Sequence, residues 1–164
     1  MPNRMQPMTE NNEPIGWNDS LVLGYAPMDH MHEEFVRIIG RMQTGPDAEL
    51  SAWLAQFIVH AQAHFEEENA WMTDTEFPPR ACHMEQHQAV LNSAHEVQQL
   101  LVQGDISTCR KFAQALADWF PNHTDHLDSA LAHWMFKRHY GGKPVVFRQS
   151  QAFAQLEPDH MTRG

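Results

Sequence analysis

Seven side chains able to bind a metal ion fall on four segments that read as helices: His32; His64 and Glu68; His83 and His87; His123 and Asp128. Within the second and third segments the two candidates stand four residues apart, one helical turn, so each pair projects from a single helix face. His123 and Asp128 are five apart, still close enough to aim at a common centre. Five imidazoles and two carboxylates are more than one metal ion needs. They suit two ions bridged by the carboxylates, and iron accepts such a mixture of imidazole and oxygen ligands. A lone histidine on an apolar face is more often a hydrogen-bonded core or surface residue. Here every segment contributes, and leaving all these polar groups in a core without a metal would cost several kcal/mol in lost solvation.

The elements that must hold these side chains follow from punctuation and period. A first helix is expected from about Pro27 to Met42, with Met28, Phe35, Ile38, Ile39 and Met42 on its apolar stripe and Gly45-Pro46 beyond it. A second runs from near Asp47 to about Met72, carrying Leu50, Leu54, Phe57, Ile58, Ala61 and Phe65, until Phe77-Pro78-Pro79 breaks the chain. A third spans about Pro79 to Gln103 and stops at Gly104. The fourth opens at Asp105 or Ser107, both acceptable N-caps, and continues to Tyr140 before Gly141-Gly142. Short loops make consecutive helices antiparallel neighbours. The expected fold is therefore all-α, an up-down-up-down four-helix bundle over 17–140, with an N-terminal arm at 1–16 and a C-terminal extension at 141–164. Only Val145-Val146-Phe147 looks β-like, and it is short.

Charge and composition exclude several functions. At 164 residues the chain is most simply one domain, and its formal net charge of −10 argues against nucleic acid and anionic membranes as partners. The charge is uneven: 1–136 holds six Lys/Arg and nineteen Asp/Glu, whereas 137–164 holds five and two, which marks the tail as basic. The polar start, Met1 to Glu13, offers no apolar run for secretion, and no stretch reaches the ~18 apolar residues of a membrane span. Cys82 and Cys109 have no metal-knuckle spacing and suggest no disulfide framework. A cytoplasmic location is expected. Cys82 reads as a small buried residue, and the Met and Trp residues as core filler.

The ordered motifs resemble the hemerythrin family, especially its single-domain bacterial members. Trp17 precedes Met28-Asp29-His30-Met31-His32, similar to the family's Trp and Ile-Asp-x-Gln-His. His64-Phe65-Glu66-Glu67-Glu68 matches His-Phe-x-x-Glu, and His83-Met84-Glu85-Gln86-His87 matches His-x-x-x-His after a proline-containing loop. Trp119-Phe120-Pro121-Asn122-His123 through Asp128 matches Trp-Leu-x-x-His-Ile-x-x-x-Asp. The resemblance covers roughly Trp17 to Leu131 and fills all seven positions. It implies two inequivalent irons with an oxo or hydroxo third bridge. His83, His87 and His123 would hold one; His32 and His64 would hold the other, left five-coordinate; Glu68 and Asp128 would bridge them. Dioxygen would bind reversibly at the open iron, and azide, nitric oxide or peroxide could compete for the same position.

Three departures from the family pattern fall beside the site. Phe120 stands for Leu and Thr124 for Ile, both expected to border the ligand pocket, and Pro121 lies inside a helix where it removes a hydrogen bond. The Thr124 hydroxyl either supplies a hydrogen-bond donor or water anchor to the pocket, or bonds back to its own helix carbonyl. His60, one turn before His64 on the same face, reads either as a residue supporting the site from behind or as an end-of-bundle residue, and the other histidines as surface or hydrogen-bonded residues. Three functions are open at this level. The leading one is reversible dioxygen binding for storage, delivery or sensing. The second is a diiron enzyme reducing peroxide or nitric oxide. The third is a ligand-responsive interaction module signalling through the basic tail.

Overall fold

A computed structural model describes residues 13–141. The tail at 142–164, with the β-like Val145–Phe147, and the first twelve residues of the arm lie outside the described residues. The described chain enters as an extended segment with a short 3-10 turn, Asp19–Leu21. It then forms α1 (Ala26–Thr44), α2 (Asp47–Asp74), α3 (Arg80–Val102) and α4 (Ile106–His123). A π-helical turn, Thr124–Asp128, joins α4 to α5 (Ser129–Tyr140), and these three pieces make the fourth rod of the bundle. Among the described residues there is no strand, and no helix is long and apolar enough to cross a membrane.

Local chemistry accounts for the boundaries. The Asp29 carboxylate accepts from the Leu23 and Gly24 amides at 2.8 and 3.0 Å, which ties the segment just before α1 to the helix's first turn. α1 runs two residues past Met42 and ends where Pro46 forbids helical geometry in its predecessor. Arg110 clasps that turn: it donates to the Met42 and Gly45 carbonyls and pairs with Asp47 at 2.7 Å. Gly104, at φ +93°, takes the left-handed conformation that stops the chain after α3. Of the two candidate caps, Asp105 caps α4, accepting from the Thr108 amide at 3.0 Å.

Two apolar clusters hold the rods together, and the direction of each rod can be read from the order in which it crosses them. The larger includes Phe35, Ile39, Leu54, Phe57, Val90 and Phe120; the smaller includes Met28, Met72, Leu131 and Met135. α1 passes from the smaller (Met28) to the larger (Phe35), with His32 between. α2 reverses this, from Phe65 through Glu68 to Met72. α3 runs from Met84 past His87 to Val90, and the fourth rod from Phe120 past His123 and Asp128 to Leu131. The alternation is the up-down-up-down topology. It places the polar residues in one layer between two apolar ones.

A candidate metal centre in the bundle

Among the described residues, the buried polar side chains are His32, His64, Glu68, His83, His87, His123, Asp128 and Thr124. Seven of the eight are the residues singled out by type and spacing. All seven converge. Glu68, His83, His87, His123 and Asp128 each offer an atom within 4.8 Å of one another, and His32, His64 and Glu68 form a second such group.

The carboxylates divide their oxygens between two sets of histidines. Glu68 Oε1 lies 3.4 Å from His83 Nε2 and 3.5 Å from His87 Nε2, while its Oε2 lies 3.5 Å from His32 Nε2 and in close contact with His64 Nε2. Asp128 Oδ1 lies 2.8 Å from His83 Nε2 and 3.2 Å from His123 Nε2, while its Oδ2 lies 3.2 Å from His32 Nε2. Each carboxylate thus faces a three-histidine side with one oxygen and a two-histidine side with the other.

The spacing of five between His123 and Asp128 has a structural cause. On an α-helix five residues advance by about 500°, leaving the two side chains about 140° apart. The π turn takes up the extra residue, with the Ser129 amide donating to the Thr124 carbonyl, so both side chains face the core. Pro121 sits just upstream and lacks the N–H that would bond the preceding turn.

The donor set fits a metal. The Nε2 atoms of all five histidines, both Glu68 oxygens and Asp128 Oδ1 are buried without a hydrogen-bond partner, although they crowd together. In a native core such atoms are paired, so an unpaired convergent set points to a cation. Electrostatics agree. Burial would raise the pKa of Glu68, yet His64 and its neighbours hold it well below the usual value. Asp128 is lowered likewise, against burial and Glu68, by His32 and His123. Burial opposes charge on His32 and His83, but the two carboxylates lift these rings to about 10 and about 9. His87 moves the other way, because burial dominates there. The carboxylates are therefore ready as anionic ligands, and an incoming cation displaces protons from the rings.

The surroundings were only partly foreseen. Phe120 packs edge-on against His32 with ring centres 5.1 Å apart, and Phe35 against His64 at 5.4 Å. Thr124 is buried, but its hydroxyl donates to the Pro121 carbonyl at 2.9 Å, the back-bonded alternative. His60 is not an end-of-bundle residue: it is half-buried 5.5 Å from the His64 ring, with Nε2 3.1 Å from the Met31 carbonyl. Cys82 is exposed rather than buried, since its neighbour His83 takes the inward face; Cys109 is the buried cysteine. Trp119 is more than core filler, stacking on His123 at 4.2 Å. Two contacts escaped sequence reading altogether. Asn69 Oδ1 accepts from His87 Nδ1 and Gln86 Oε1 from His123 Nδ1, each at 2.8 Å. Their one visible signal was adjacency in sequence to Glu68 and His87.

An antiparallel four-helix bundle around a buried histidine–carboxylate cluster defines the class as a helical metal-binding protein. The family model described as the hemerythrin HHE cation binding domain matches residues 23–134. A protein described as Bacteriohemerythrin, from Ralstonia nicotianae, is 35% identical over 124 residues, covering 76% of this chain and 90% of that relative. The chain belongs to the hemerythrin family. No solved structure gives a significant match.

Proposed function

We propose that the chain is a cytoplasmic diiron protein that binds dioxygen reversibly, serving storage, delivery or sensing. The observation that carries this reading is the division of the Glu68 and Asp128 oxygens between two histidine sets. In it, His83, His87 and His123 hold one iron, His32 and His64 hold the other, and the two carboxylates bridge them. Such a pair supplies two electrons and an open coordination position for a small ligand.

The chain's own residues shape what that position accepts. The two-histidine side has one imidazole fewer, so the free position falls there. Phe35 and Phe120, whose ring centres are 5.0 Å apart, wall that side with hydrocarbon and exclude water. The Thr124 hydroxyl is spent on the Pro121 carbonyl, so it offers no proton to a ligand. A peroxide- or nitric-oxide-reducing role would use the same open position, without a donor from Thr124. A dry wall without a donor supports release of the ligand unchanged. Mixing the reduced protein rapidly with dioxygen tests this: an oxygenated optical form should appear and disappear again when dioxygen is removed. Direct, irreversible conversion to the ferric form would refute it.

A further inference from the structure

The five histidines are not held alike. On the three-histidine side, two rings are fixed from behind by neutral amide oxygens: His87 by Asn69 and His123 by Gln86. Both bonds cross between helices, from α2 to α3 and from α3 to α4. An amide oxygen only accepts, so Nδ1 of each ring carries the hydrogen and Nε2 is left as a lone pair aimed into the cluster. The planes of the same two rings are fixed by stacking, with Phe65 on His87 at 4.1 Å and 7° and Trp119 on His123 at 4.2 Å and 27°. On the two-histidine side, Nδ1 of His32 and Nδ1 of His64 are both buried without a partner. His83 lacks one too, so the difference is carried by Asn69 and Gln86.

We propose that Asn69 and Gln86 are positioning residues that lock the three-histidine ion, so that the two ions leave in order, the two-histidine ion first. The proposal rests on the two-iron reading above. An ion bound through two pre-aligned lone pairs is held by two rings that cannot swing away from it, and only His83 on that side lacks such a bond. On the other side, no hydrogen bond at Nδ1 fixes His32 or His64. Removing a hydrogen-bond partner behind a ligand histidine costs about 10–100-fold in metal affinity.

The test is iron release from the full-length, iron-loaded protein to a ferrous chelator under reducing conditions, followed by absorbance. The wild type should release iron in two phases of equal amplitude. Gln86→Ala and Asn69→Ala, chosen because alanine suits a helix interior, should speed the slow phase about 10–100-fold and leave the fast phase alone. Gln86→Glu, which retains an acceptor, should keep the slow phase at or below the wild-type rate. A loosened fold would instead speed both phases, with no rescue by glutamate. A single phase in the wild type, equal acceleration of both phases, or a glutamate variant as fast as alanine would overturn the proposal. Wild-type protein holding fewer than two irons would fail the two-iron reading and the proposal with it. Two irons with unselective variants would fail the proposal alone.

Discussion

Glu68 and Asp128 each face both histidine sets, so in the proposed diiron centre they belong to neither ion alone. Replacing either with alanine should abolish the coupled pair, whereas His32→Ala should deplete mainly the ion on its own side. Iron content and magnetic coupling of the three variants distinguish these outcomes; a coupled pair surviving in Glu68→Ala would contradict the bridging role. A second expectation concerns the pocket wall. Phe120→Leu should speed azide binding by widening the approach to His32 and lower stability by about 1 kcal/mol. Thr124→Val should leave the lifetime of the oxygenated form unchanged, because the hydroxyl it removes already serves Pro121. A markedly longer lifetime in Thr124→Val would show that the hydroxyl reaches the ligand. All seven clustered residues were legible in the sequence because every helical segment contributed at least one and their order matched the family's motifs. Asn69 and Gln86 were not, because an amide on a helix reads as surface until the neighbouring helix is in place.

At the level of elements, the helices were legible from proline, glycine and apolar period, to within about two residues at their ends. The π turn was not. Its sole sign was the spacing of five, which is ambiguous until the backbone shows how the extra residue is absorbed. Because a π turn encloses one residue more than an α turn, deleting one residue from it should restore an ordinary helix with little change in what lies beyond. His126 is exposed within the turn and is the residue to remove. The deletion leaves three residues between His123 and Asp128, a spacing of four, which keeps both on one face. The expected outcome is retained iron and a retained cooperative melt. Deleting Ala115, in regular α4, should rotate everything after it by about 100° and lose both. Loss of iron on deleting His126 would mean that the π geometry itself, and not merely the facing of the two side chains, is needed.

Across the whole molecule, one polar layer lies between two apolar clusters, so the stability of the bundle depends on what fills that layer. In the metal-free protein His32 and His83 keep their protons up to about 10 and about 9, against an ordinary 6.5. A raised folded pKa contributes stability that is complete below the unfolded value and is lost as pH climbs through the folded one. Metal-free protein should therefore melt at progressively lower temperature as pH rises from neutrality through about 9 and about 10. The iron-loaded protein should melt higher and lack this alkaline decline, since rings already neutral as ligands have no proton to lose. Parallel melting curves for the two forms across that range would contradict the assignment of those protons. A pair of unlike irons bridged by Glu68 and Asp128 has a distinct signature in Mössbauer spectroscopy of the oxidised, iron-enriched protein. The spectrum should show two doublets of equal area, one per iron environment, from a coupled centre with no net magnetism. A single doublet, or the magnetically split spectrum of isolated ferric iron, would contradict it.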